Sequence, residues 1–252
     1  RRVQASIRYT SSVGGIRVGN WFFPDWLAGG HGLTDVRKSL AWSVNTFYYY
    51  IGGGYGSFSG LGIDGLQTIL GKFGFGRPLG IDMPGEAAGF IPSPEWKKKK
   101  KGEQWYIGDT YNLSIGQGDL LVTPLQIAVM TSAIANGGAI YRPHLAHSIV
   151  NPLTGEEKEI KGEKLGVLPN ANNSIELVRL GMRDCVLYGS CRKLNSLPVS
   201  IAGKTGTAQW SSAGDPHAWF TSFAPFDQPE IALTIIIEQG GEGSSAALPV
   251  AE

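Results

Sequence analysis

Apolar residues along the chain recur first at no clear period, then at helical spacing, and finally in strand-like runs. Residues 1–30 carry turn signals at Gly14-Gly15 and Gly29-Gly30 and read as extended and irregular. Thr34-Asp35 is a helix-start pair, and Val36, Leu40 and Trp42 follow at a spacing that gives one apolar face, predicting a helix toward Ser43-Val44-Asn45. Thr46 to Ile51 is aromatic on every side and predicts a buried helical turn closed by the glycines at 52–54. A further amphipathic helix is predicted over Leu61 to Gly74, with Leu66, Ile69, Leu70 and Phe73 on one side. Residues 75–110, with prolines at 78, 84, 92 and 94, read as loop. The Lys97 to Lys101 run inside that loop reads as a solvated, mobile face, with contact to an anionic polymer or lipid as the sharper alternative.

Beyond a glycine-punctuated loop, Ser114-Ile115-Gly116-Gln117-Gly118-Asp119, the pair Thr123-Pro124 has the form of an N-cap and first helical residue. The helix it opens, to Asn136-Gly137, carries a broad apolar set (Leu125, Ile127, Ala128, Met130, Ile134, Ala135) and should be central. Residues 139–170 alternate short apolar pairs with charge, as in a meander or exposed hairpin, and Ser174 to Leu187 is again amphipathic. Ile201 to Gln209, His217 to Ala224 and Glu230 to Glu238 then read as three consecutive antiparallel strands, the last apolar almost throughout and therefore placed centrally. Helices preceding a meander predict an α+β fold, helices packed on an antiparallel sheet.

Composition adds limits. A 42% hydrophobic content supports a real core, and a net charge of +1 offers nothing toward nucleic acid or an anionic membrane. The 36 glycines, set among plentiful aromatic and β-branched residues, point to turns and close backbone approaches rather than disorder. There is no apolar run long enough to span a bilayer, and no apolar segment follows Arg1-Arg2-Val3-Gln4, so either the protein is soluble or its leader lies outside the chain. Cys185 and Cys191 are too few for a disulfide framework or a structural zinc site and are expected to be free and buried.

The candidate chemistry centres on Ile201-Ala202-Gly203-Lys204-Thr205-Gly206-Thr207-Ala208-Gln209, which reads as an edge strand. Lys204 with the hydroxyls of Thr205 and Thr207 could hold a carboxylate, Gly206 lets another backbone approach, and the free edge could pair with an extended peptide. A phosphate-binding loop is excluded, because the first glycine such a loop needs is Pro198 here. Standing alone, the segment could equally be an exposed lysine that protects a sheet edge. Ser43 and Asn45, two apart at a helix junction, could be a cap or a polar site. Asp25 and His31 could ligate a metal or simply tie down a loop, and no third ligand is evident.

Ser43-x-Asn45 followed much later by Lys204-Thr205-Gly206-Thr207 resembles the S-x-N and K-T-G motifs of the penicillin-binding and serine β-lactamase superfamily. Gly30-His31-Gly32, Ser114 to Gly118, Thr123-Pro124-Leu125-Gln126, His217-Ala218-Trp219-Phe220 and Ala224-Pro225 extend the resemblance, which is to the class B penicillin-binding proteins that cross-link side-wall peptidoglycan during rod elongation. The resemblance implies their transpeptidase fold, an antiparallel sheet with helices packed on it, and a D,D-transpeptidase activity without cofactor. It assigns Ser43 to proton relay, Asn45 to the substrate amide, Lys204 to the terminal carboxylate, and Thr205, Gly206 and Thr207 to substrate binding. Implied ligands are peptidoglycan stem peptides and β-lactams, and implied partners are a glycosyltransferase and scaffold proteins of the elongation complex, with the catalytic domain on the periplasmic side of a membrane anchor. Asp25 and His31 are similar to a metal pair of some relatives, with Val44 standing where those carry a further ligand.

The chain departs from the pattern in having no S-x-x-K before Ser43, the one match being Ser190-Cys191-Arg192-Lys193 downstream, expected to be accidental. The chain is therefore expected to be a partial transpeptidase domain, incomplete at both ends, without the first sheet strands, the nucleophile helix or the terminal helix. A catalytically inactive module that binds or senses β-lactams or peptidoglycan is the alternative. A β-lactamase is a weaker one, for want of a deacylating base.

Overall fold

The computed structural model describes residues 10–168, 171–211 and 213–252; the expected extended start over 1–9 lies outside them. The chain begins with two short antiparallel pairings: β1 (Thr10–Ser12) with β4 (Gly32–Thr34), and between them β2 (Gly15–Val18) with β3 (Trp21–Pro24). Six helices follow, α1 (Val36–Trp42), α2 (Asn45–Gly53), α3 (Gly62–Lys72), α4 (Pro94–Lys101), α5 (Ile107–Ser114) and α6 (Pro124–Ala135). Next come two nested hairpin pairings, β5 (Ala139–Tyr141) with β8 (Lys164–Val167) enclosing β6 (Ser148–Val150) with β7 (Glu157–Glu159). The long α7 (Ala171–Leu187) leads into a sheet of β9 (Ala202–Ala208), β10 (His217–Ala224) and β11 (Ile231–Ile237).

Two cores line this sheet. On one side Val129, Ala133 and Ile134 of α6 and Ile175 and Met182 of α7 pack with Ala202 and Phe223. On the other, Cys185, Val186, Leu194 and Leu248 pack with Ala218 and Phe220. The central helix α6 starts where its sequence dictates. The Thr123 hydroxyl accepts from the Gln126 N–H while the Gln126 carboxamide accepts from the Thr123 N–H. The other end of that carboxamide, fully buried, donates to the carbonyls of Ala88 and Arg77, so one residue caps the helix and ties down the preceding loop. The helix-rich α+β layout is as the apolar pattern predicts.

Four local expectations are corrected. The sheet order is β11-β10-β9, so β10 and not β11 is central. The apolar run of β11 reflects side chains that pack toward both cores, Ala232 on one face and Ile235 and Ile237 on the other, which says nothing about how many strands it pairs with; at its outer end Ile231 is 61% exposed. Cys185 and Cys191 are both buried but bridged, not free. Six residues along a continuous helix would separate them by about 9 Å, but α7 ends at Leu187 and the chain turns back, so that the Cys191 N–H meets the Cys185 carbonyl and the Cα atoms stand 5.0 Å apart. The lysine run is a helix capped by Ser93, with Lys98 to Lys101 exposed as expected but Lys97 a buried ion-pair partner. Finally, the 75–110 stretch holds α4 and the start of α5, whose Ile107-Gly108-Asp109-Thr110 opening gives little helical signal.

Candidate active site

Ser43 sits at the corner between α1 and α2, with φ 56° and ψ 48°. A left-handed serine costs on the order of 1 kcal/mol and persists only where its surroundings fix it. Here they do. The Ser43 N–H reaches the Leu40 carbonyl, and the following Val44, fully buried, donates its N–H to Ser39. The Trp26 indole donates to the Trp42 carbonyl, and the buried Asp25 carboxylate accepts from both the N–H and the hydroxyl of Thr46. Asn45 opens α2 immediately beyond.

Across from this corner runs β9. The Lys204 ammonium donates to the Ser43 hydroxyl at 2.8 Å and to the Thr205 carbonyl at 2.7 Å, joining residues 161 apart in sequence. No carboxylate of the described residues neutralises it, and burial alone pushes its pKa down to about 8. The site thus holds an enclosed cation with three N–H donors and, among the described residues, two neutral partners.

The hydroxyls of Thr205 and Thr207 are not arrayed beside the ammonium as expected. Side chains alternate along a strand, and these two are engaged elsewhere: Thr205 with the Ser190 hydroxyl at 2.9 Å, Thr207 with the Gly243 N–H at 3.4 Å. Gly206 serves as the sequence suggests, as a place of close approach. The backbone that comes close is that of Gly243, where a Cβ would lie 2.3 Å from the Gly206 carbonyl oxygen; a Cβ on Gly206 itself would instead crowd the Trp219 Cβ at 3.2 Å.

Ser190 is the residue whose importance the sequence hides. Its N–H donates to the Ala41 carbonyl in α1 and its hydroxyl meets Thr205, so it clamps the Ser43 corner to β9. Lys193, its formal S-x-x-K partner, is exposed. The only hint in the chain is a serine beside a cysteine at the end of an amphipathic helix.

Asp25 and His31 do come together, at 3.5 Å, both side chains buried. Burial, foremost, holds the imidazole below its ordinary pKa, and His31 Nε2 has no hydrogen-bond partner among the described residues. The pair nevertheless fits a metal poorly. The carboxylate already accepts from Ser12, Trp26 and Thr46, Val44 offers no donor, and the described residues contain no group of three or more ligating side chains.

A corner serine thus meets a strand lysine at the outer edge of a three-stranded antiparallel sheet with helices packed on it. Residues 4–252 match the family model of the penicillin binding protein transpeptidase domain, and the chain belongs to that family. It is 36% identical over 250 residues to the peptidoglycan D,D-transpeptidase MrdA of Haemophilus influenzae, covering 91% of this chain and 37% of that protein. To its namesake in Acinetobacter baumannii it is 33% identical over 239 residues, covering 89% and 34%. Among solved structures, PBP2 of Pseudomonas aeruginosa superposes with a TM-score of 0.80 at 33% identity over 98% of this chain and 54% of that one. A complex of PBP2 with MreC from Helicobacter pylori gives 0.79 at 31%, over 94% and 42%. The chain thus spans little more than a third of the length of those MrdA proteins. No described helix is long and apolar enough to cross a membrane.

Proposed function

We propose that this chain supplies the S-x-N and K-T-G walls of a serine D,D-transpeptidase site that cross-links stem peptides during cell-wall elongation. The observation that carries the reading is the 2.8 Å contact between Lys204 and Ser43, an ammonium without a carboxylate held beside a hydroxyl. In the reaction, a nucleophilic serine attacks the carbonyl of the penultimate D-Ala, the terminal D-Ala leaves as its amine accepts a proton, and an amine of a neighbouring strand then takes the acyl group and frees the serine. Lys204 holds the terminal carboxylate by charge-assisted hydrogen bonds. Ser43, within reach of that ammonium, passes the proton to the departing amine, and Asn45 orients the substrate amide. The N–H of Thr207 faces the developing oxyanion, Gly206 keeps the backbone accessible, and Thr205, its hydroxyl turned to Ser190, takes part through the backbone carbonyl that holds Lys204. β-Lactams enter as mimics of the D-Ala-D-Ala end.

The nucleophilic serine and its lysine are assigned to a part of the full-length protein outside these 252 residues, which form part of a transpeptidase domain. Family membership likewise supports a membrane-anchored protein with this domain in the periplasm, the Helicobacter pylori complex supports a scaffold partner of the MreC kind, and likeness to a peptidoglycan synthase complex that coordinates polymerization and crosslinking supports a glycosyltransferase partner. Labelled penicillin incubated with the complete gene product is the test. A covalent adduct on a serine upstream of Ser43 is expected; binding that reverses on dilution would replace the enzyme with a sensing module.

A further inference from the structure

The free edge of β9 is already partly occupied. In an antiparallel ladder the N–H and C=O of a given residue point to the same side, and alternate residues turn outward. The outward groups here belong to Thr205, Thr207 and Gln209. The Thr205 carbonyl accepts from Lys204, the Thr207 carbonyl accepts from the Gln117 side-chain amide at 2.7 Å, and the Gln209 N–H donates to the Gln117 side-chain oxygen at 3.2 Å. A carboxamide has the donor and acceptor of a peptide unit. Gln117 therefore takes two successive edge groups that an added strand would use. Its orientation is fixed, since flipping the amide would face N–H with N–H and oxygen with oxygen.

The backbone carrying Gln117 is held while its side chain is free to leave. Gly116 and Gly118 flank it with φ 75° and 79°, a turn only glycine adopts readily. The Gly116 and Gln117 N–H groups bond back to Leu113 and Asn112, and Asp119 is paired with Lys101. The side chain itself is only partly buried and can swing to solvent about its own torsions.

We infer that Gln117 is a gate: in the free protein it caps the edge at Thr207 and Gln209, and an extended peptide whose terminal carboxylate is held at Lys204 must displace it. This rests on the proposed function. Because the capped form cannot pair with the peptide, the apparent affinity is lowered by the uncapped fraction.

The test titrates diacetyl-Lys-D-Ala-D-Ala into the complete gene product and its Gln117→Ala variant by calorimetry, with hydrogen exchange at the Gln209 amide as second readout. Gln117→Ala should bind about two- to tenfold tighter, the range of one or two ordinary hydrogen bonds, and the free variant should exchange the Gln209 amide faster. Gln117→Asn, one methylene too short to reach both groups, should do the same and serves if the alanine variant folds poorly. Peptide binding to the wild type with equal or weaker binding to the variants would overturn the gate while leaving the transpeptidase reading intact. Binding to none of the proteins would overturn both.

Discussion

Lys97 and Lys204 are both enclosed by the fold, and their surroundings are opposite. Lys97 sits on the inner face of α4, 2.7 Å from the Asp109 carboxylate, 3.4 Å from Glu103, and over the Tyr106 ring. Burial pulls its pKa down, but the bonds and charge of Asp109 more than offset this, and the net shift is upward. Lys204 has a hydroxyl and a carbonyl for company and burial alone to contend with, which leaves it at about 8. A charge that is already paired stabilises the structure it belongs to; one left unpaired at a cost is available to a ligand.

Replacing each lysine with methionine separates the two roles. Lys204→Met should lower the second-order rate of labelling by penicillin about thirtyfold or more, the effect of removing one side of an enclosed charge pair, without destabilising the fold at neutral pH, since the buried charge it removes is unpaired. Lys97→Met should do the reverse. It leaves Asp109, 24% exposed, without its partner, and should cost about 1–3 kcal/mol in urea unfolding with little change in labelling. Comparable losses of labelling in both variants would erase the contrast.

The pH dependence of stability sharpens it further. The lowered pKa of Lys204 means that its penalty is fully present below about 8 and is relieved as pH rises toward its unfolded value near 10.5. Relative to Lys204→Met, the wild type should therefore gain stability over that window, by at most about 1.4 kcal/mol per pH unit. Lys97, raised, contributes stability fully below about 10.5 and loses it as pH rises through its folded value, so the deficit of Lys97→Met should shrink only above that point. Unfolding curves of the three proteins between pH 7 and 11 check both slopes.

The smallest effect is expected from Ser190→Ala, which removes the hydroxyl that meets Thr205 but keeps the N–H bonded to Ala41. Penicillin labelling should fall about two- to fivefold, with the melting temperature nearly unchanged. A loss as large as that of Lys204→Met would make Ser190 more than a support.

What can be read from the chain alone follows from how local each signal is. The Thr123-Pro124 start of α6 and the extended run of β9 depend on residues a few positions apart, and both are legible, whereas the turning of the Thr205 and Thr207 hydroxyls away from Lys204 is not. The pairing of Ser43 with Lys204 spans 161 residues and is legible only because the two motifs occur together in one family. The edge position of β11 is not, because an apolar run reports on the faces of a strand and not its neighbours. The Cys185–Cys191 bridge and the Ser190 contacts depend on where α7 stops, a boundary that amphipathic spacing does not mark. Gln117 stands in plain view within its glycine turn, but its meaning lies in a contact with β9 at a residue 90 positions further on.

Lys204 as a cation in waiting is the central claim, and its own titration is the direct measure. Carbon-13 NMR of the lysine ε-methylene, in protein selectively labelled and compared with Lys204→Met for assignment, should place the free value near 8. Saturating diacetyl-Lys-D-Ala-D-Ala should move it upward as the carboxylate arrives. A free value near that of an ordinary lysine, unmoved by the peptide, would contradict the assignment of Lys204 to the carboxylate.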